Sequence, residues 1–448
     1  MKKTIFTTLL MFILTCTSSV NAEEKEIVIT IDDFQKKATP IAIVPFVDLG
    51  DVKYNHKDWA YLHQTILDDL GLTGWFRLIK EDAFLASAPK EISDFSVSKI
   101  PFQKWAVLDA VYLLMGFYKK DGTKVTVNYY LYNVIQRKLI VSQSLHSSNH
   151  MGRKTAHRVA DRVVEYITGE MGIFETKIVG TYVTYEGGNK IEQIFISEFD
   201  GKNIEMKTSG KNKNLSPAWS SDGKKIVFVS DRRGSWELNI IDWIQKKIYP
   251  ITKLETTIIS PTFNPTNDEI VAAMSVKGDT KLFRFSQTGK MLQQLTKGWN
   301  SMDIQPSFSP DGTKIAFSSS RSGRPQIYVM DANGNNVKRL TFGEMKDQCP
   351  AWSPKGDKIV YASQDADKHM DIFVINADGS GQPQRLTYDS RNNEDPTWSP
   401  DGRFIAFSTD RERGKYHVWI MNKDGKNARP LTKGKGEYII PSWSPRIK

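Results

Sequence analysis

The side chains that could do chemistry are few and poorly placed to act together. His146, His150 and His157 are the one loose histidine cluster, and they read as solvated surface residues rather than zinc ligands. Three turns, Asp331-Ala332-Asn333-Gly334, Asn376-Ala377-Asp378-Gly379 and Asn422-Lys423-Asp424-Gly425, faintly resemble calcium loops. They recur at one position of a repeat, so a turn role accounts for all three. There is no Gly-x-Ser-x-Gly elbow, no phosphate-binding Gly-x4-Gly-Lys-Ser/Thr loop and no His-Glu-x-x-His pair. Two Cys in 448 residues exclude a disulfide scaffold and a four-cysteine zinc module. The expectation is a binding protein with no catalytic residue, metal or cofactor.

The N-terminus decides which residues count. Lys2-Lys3, the apolar run Ile5 to Leu14 and the small residues of Val20-Asn21-Ala22 make a secretory signal over residues 1–22, with cleavage after Ala22. A competing reading makes Cys16 a lipidated N-terminus, though Thr15 suits such a site poorly. No other stretch reaches the ~20 residues needed to span a bilayer. Residues 1–22 hold two Lys and no acid, so the formal charge falls from +10 to +8. Acids interleave with the basic residues at turns, which excludes a nucleic-acid stripe. Cys349 is then the single thiol, read as a small buried side chain at the start of a strand.

The element that must carry any site is a repeat. Pro217, Pro261, Pro306, Pro350, Pro396 and Pro441 each open a Pro-x-Trp/Phe strand, spaced 44, 45, 44, 46 and 45 residues apart. Thr208, Thr252, Thr296, Thr341, Thr387 and Thr432 run in phase with them. A period of this length means a propeller or solenoid. Within each unit, Gly- and Pro-Asp-containing turns separate four short alternating strands, which make a propeller blade. The chain ends after the first strand of a sixth unit, while Lys177 to Tyr185, Ile191 to Phe199 and Ile204 to Thr208 supply three strands upstream. The prediction is a six-bladed β-propeller over 173–448, its last blade closed by N- and C-terminal strands so that no edge stays open.

Residues 23–172 lack the repeat. Ile41 to Val47 reads as a buried strand, and Asp58 to Leu70 and Lys154 to Thr168 read as amphipathic helices. Val111 to Tyr118 and Lys124 to Tyr132 flank the hairpin signal Asp121-Gly122. This is a small α/β domain, which makes the whole chain multidomain, α/β plus all-β.

A leader, a small α/β domain and six Pro-x-Trp-Ser-Pro-Asp-Gly-like units resemble the TolB family, periplasmic components of the Tol–Pal cell-envelope system. Pro40-Ile41-Ala42-Ile43-Val44-Pro45-Phe46 and Thr168-Gly169 add to that likeness. The resemblance implies a non-enzymatic periplasmic adaptor that maintains outer-membrane integrity and supports cell division. Its implied partners are the peptidoglycan-associated lipoprotein Pal, the periplasmic domain of TolA and other outer-membrane proteins. Pal would dock at one mouth of the propeller channel, on loops leading into the blade-opening strands. Matching loop positions gives Thr257, Ser260 and Ile304, with Asn300, Asp303, Gln348, Asn393, Glu394 and Tyr438 as rim neighbours. TolA would bind a mobile segment over residues 23–33, through Glu26, Ile27, Val28, Ile29, Thr30 and Ile31, whose alternation suits strand addition. Two rival classes stay open: a secreted propeller hydrolase or lyase, and a carbohydrate-binding propeller using Trp299.

Overall fold

A computed structural model describes residues 38–50, 57–389, 391–412 and 414–447. The predicted leader 1–22 and the predicted TolA-binding segment 23–33, with Glu26 to Ile31, lie outside the described residues. Among those described, no helix is long and apolar enough to cross a membrane.

The N-terminal domain is a mixed sheet covered on both faces. Its elements are β1 (Thr39–Ile43), β2 (Val47–Asp48), α1 (Lys57–Ala60), α2 (Leu62–Leu72), β3 (Phe76–Leu78), α3 (Phe102–Ala106), β4 (Tyr112–Asp121), β5 (Lys124–Asn133), β6 (Lys138–Ser148) and α4 (Gly152–Thr168). The order is β3-β1-β4-β5-β6, with β1 parallel to both neighbours and β4 to β6 antiparallel. Ile41 and Ile43 face the helix layer of α2 and α4, while Ala42 and Val44 face a second core with Phe95, Phe102 and Trp105. Burial on both faces explains why this strand reads as a continuous apolar run. Strand β6 was not anticipated, because it pairs only through β5 and its side chains alternate between exposed and half-buried, with none in the core. Helix α4 stops where Gly169 adopts φ 76° and its N–H reaches the Glu165 carbonyl.

The rest is a closed ring of six four-stranded blades. Their inner strands are Asn214–Trp219, Ile258–Phe263, Asp303–Phe308, Asp347–Trp352, Asn393–Trp398 and Glu437–Trp443, for blades 1 to 6. In blade 6 the C-terminal strand pairs antiparallel with Lys177–Glu186, from Glu437 opposite Val183 to Trp443 opposite Ile178.

Both sequence markers have a physical cause. The six Thr hydroxyls accept the backbone N–H of Ile194, Leu238, Leu282, Ile327, Ile372 and Val418 at 2.9–3.0 Å. Each bond holds the chain just beyond the short outer strand against the third strand of its blade. At the other marker, Ser220, Ser309, Ser353 and Ser399 accept the N–H five residues on, at 2.9–3.1 Å. The Asp of the turn accepts a second N–H in three of these blades. Gly312 sits in that turn at φ 70°, where a Cβ would come within 2.8 Å of Asn264 and Thr266. In the calcium-like turn, the Asp331 carboxylate takes Lys314 at 3.1 Å and Asn336 at 2.6 Å, and Gly334 has φ 90°. That geometry is a hairpin turn.

Candidate functional site at the channel mouth

The inner strands surround a channel with two unlike ends. At the end where they begin, each carries a β-bulge just before its proline. Proline has no N–H, so a bulge that needs no ladder donor accommodates it. The six residues before the prolines are Ser216, Ser260, Gln305, Cys349, Asp395 and Ile440, all left-handed with φ of 50–56°. They line a cavity of about 200 Å³ at this mouth, together with the prolines. Non-glycine residues in that conformation, Ile440 above all, store strain and tend to gather at binding sites.

The residues predicted for this mouth divide into two groups. Thr257 and Asn300 are exposed on loops, and Ser260, Ile304, Gln348 and Glu394 are half-buried around the opening. Asp303, Asn393 and Tyr438 do not stand on the rim: they are 0%, 0% and 8% exposed. Asp303 accepts from Ser319 at 2.5 Å and pairs with Arg321 at 3.1 Å and with Lys281 of the preceding blade at 3.5 Å. Asn393 accepts from Arg411 at 2.7 Å and donates to Asp389 at 2.8 Å and to Asp371 of the preceding blade at 3.3 Å. Tyr438 packs among Tyr182, Phe195 and His417. These three hold blades together beneath the mouth, because a buried polar group must find partners.

Loop matching missed Gln305, Cys349 and Asp395, which form a hydrogen-bonded arc. The Gln305 amide donates to Cys349 Sγ at 2.9 Å, and the Cys349 N–H donates back to Gln305 Oε1 at 3.0 Å. The thiol donates to Asp395 Oδ1 at 3.2 Å. Burial, then the Asp395 charge, pushes the Cys349 thiol well above its ordinary range, so it is a poor nucleophile. Burial likewise raises Asp395. Burial, then Asp395 and Asp410, lifts Glu394 to about 7. Among the described residues, no group of three or more His, Cys, Asp or Glu side chains is arranged to hold a metal ion. The mouth is a concave, half-buried surface lined with polar hydrogen-bonding groups.

The opposite end of blades 5 and 6 carries the N-terminal domain. His157 corrects the expectation of three solvated histidines: it is 2% exposed. Its Nδ1 lies 2.7 Å from Asp69 Oδ2 on α2, and its Nε2 lies 3.3 Å from Glu198 Oε2 of blade 6. Both ring nitrogens face carboxylates, so both must donate and the ring is an imidazolium. Burial opposes that charge, but Asp69 and Glu198 outweigh it and bring the ring to about 9. Arg153, one turn earlier on α4, binds Glu198 at 2.5 Å and also Asp200. At blade 5 the Arg403 guanidinium stacks 3.9 Å from the Trp75 ring and pairs with Glu170. The Asp161 carboxylate accepts the N–H groups of Phe174 at 2.8 Å and Glu175 at 3.1 Å, fixing the segment that leads into the propeller.

This architecture has close counterparts. Residues 27–140 match the TolB amino-terminal domain and residues 164–447 the TolB beta propeller domain. A "Protein TolB homolog" of Chlorobium chlorochromatii is 35% identical over 319 residues, 71% of this chain and 70% of that protein. One of Chlorobium luteolum is 31% identical over 322 residues, covering 72% and 71%. The "Tol-Pal system protein TolB" of Desulfosudis oleivorans is 31% identical over 260 residues, 58% of each chain. The crystal structure of TolB from Acinetobacter baumannii superposes with a TM-score of 0.77 at 25% identity, over 91% of this chain and 97% of that one. With both domains matched in order, and a relative more than 30% identical over about 70% of both chains, this chain belongs to the TolB family.

Proposed function

We propose that the chain is a non-enzymatic periplasmic adaptor of a Tol–Pal system. It binds a Pal-type peptidoglycan-associated lipoprotein at the mouth ringed by Ser260, Ile304, Gln348 and Glu394. It binds the periplasmic domain of TolA through residues 23–33. Coupling the two supports outer-membrane integrity and envelope constriction at division. In this reading residues 1–22 are the leader, 23–172 the N-terminal domain and 173–448 the propeller. The observation that carries the proposal is the position of the mouth. The N-terminal domain sits at the far end of the channel, held by Arg153, His157 and Arg403. The strained, half-buried ring at this end is left facing outward, where a globular partner can reach it.

Titration of the mature chain with the soluble domain of the lipoprotein from the same cell tests this. Ser260→Trp and Ile304→Asp each lower that affinity by about tenfold or more, the size of a hot-spot loss. Removal of residues 23–33 abolishes TolA binding and spares lipoprotein binding. Lipoprotein binding that ignores both mouth substitutions overturns the placement, and loss of both partners on truncation overturns the division of labour.

A further inference from the structure

The loops around this mouth differ by blade. Those entering blades 3, 4 and 5 present Trp299, Phe342 and Tyr388, which are 82%, 74% and 75% exposed. Two of these rings are held in place. The Arg339 guanidinium lies 5.0 Å from the Phe342 ring and the Arg385 guanidinium 5.2 Å from the Tyr388 ring. The Tyr388 hydroxyl also donates to the Arg385 carbonyl at 2.9 Å. Large, immobilised, solvent-facing aromatics lose little entropy on binding and are the usual anchors of protein interfaces.

Further round the ring, next to blade 5, the loops 432–436 and 208–213 enter blades 6 and 1. They carry Lys433, Lys435, Lys211 and Lys213, all exposed, and no acid. Among the described residues, none of the four has a carboxylate within ion-pair distance. In the neighbouring hairpin of blade 6, Lys190 pairs with Glu192 at 2.5 Å. One arc of the mouth thus carries the aromatics among charges of both signs, and the next carries only unpaired positive charge.

We propose that these two arcs orient the docked partner: a folded protein domain places an acidic edge over blades 6 and 1 and an apolar edge on the aromatics of blades 3 to 5. This rests on the reading that the lipoprotein docks here, and it adds the direction in which it sits. Complementary charge sets encounter rate, whereas desolvated aromatic contacts set residence time. The arcs follow one another around the ring, blade 5 packing against blade 6, and together they rim a concave opening that receives a folded domain.

The test uses the mature chain, the soluble lipoprotein domain and surface plasmon resonance at low and high salt. A Lys211→Glu, Lys433→Glu, Lys435→Glu variant is expected to slow association by at least about tenfold and to remove its salt dependence. Phe342→Ser with Tyr388→Ser is expected to speed dissociation by at least about tenfold and leave association unchanged. Melting curves that match the parent chain keep both results about binding. Two variants that bind like the parent overturn the arcs while leaving mouth docking intact. A parent chain that does not bind removes the docking reading and this inference together. Binding of the parent to phosphatidylglycerol vesicles or to soluble peptidoglycan fragments, lost in the lysine or aromatic variant, also overturns it, by assigning that arc to a lipid or a glycan.

Discussion

The two ends of the channel use polar residues in opposite ways. At the domain seam, charges are buried in pairs: His157 between Asp69 and Glu198, and Arg153 between Glu198 and Asp200. At the mouth, the polar groups are half-buried and mostly uncharged, with Cys349 and Asp395 both pushed toward their neutral forms. Buried ion pairs fix geometry, because misplacing one partner strands the other without water. A strained, partly wet ring of mostly uncharged side chains is cheaper to desolvate when a partner arrives. The seam therefore reads as a rigid joint, and the mouth has the character that the proposed docking needs.

Deleting residues 437–448 gives the largest effect, because that strand serves both ends. Its start forms part of the mouth, and at its end Trp443 donates to Thr176 at 2.8 Å and Arg446 to the Gly172 carbonyl at 3.0 Å. Loss of the inner strand of blade 6 opens the ring and exposes a strand edge, so the cooperative melt seen by calorimetry should disappear. An unchanged melt would falsify the closure.

His157→Gln comes next. It leaves Asp69 buried without a cation, a loss of about 3–5 kcal/mol. Calorimetry should show a separate, earlier transition for the N-terminal domain, while lipoprotein binding at the mouth persists. The pH dependence carries the same signature. The folded ring sits at about 9 against an ordinary 6.5, so its stabilisation is complete below 6.5 and is lost as pH rises through 9. That decline should be missing in the variant. If the variant and the parent decline alike, the joint lies elsewhere.

Glu394→Gln is the smallest of the three. The side chain is raised from 4.5 to about 7. A raised carboxyl destabilises the fold once it ionises, so parent stability falls as pH climbs from 4.5 toward 7. Removing the charge should stabilise the chain by about 1–2 kcal/mol at pH 8, discounting the full shift for partial solvent access. No gain at that pH would show that the mouth tolerates charge better than its burial suggests.

Individual residues show what was legible. Pro217 and its five counterparts gave the blades, since one proline per unit at a strand start needs only local rules. The position before each proline was equally visible, but its occupants are Ser, Ser, Gln, Cys, Asp and Ile. No residue preference announces a left-handed conformation there, so Gln305 and Asp395 were passed over. Asp303 and Asn393 read as rim residues because they are polar. They are buried because Lys281 and Asp371, on the third strands of the preceding blades, come into reach. His157 read as solvated for the same reason: Asp69 lies 88 residues away and Glu198 lies 41 away.

The sequence by itself determined the number of blades, their turns and the closure of the last one, because those follow from a repeated local pattern and from turn chemistry. Only the tertiary structure decided which end of the channel the N-terminal domain covers and which polar side chains sink out of water. Those outcomes depend on contacts between distant segments, where a charge is kept or neutralised according to the partner that packing brings to it.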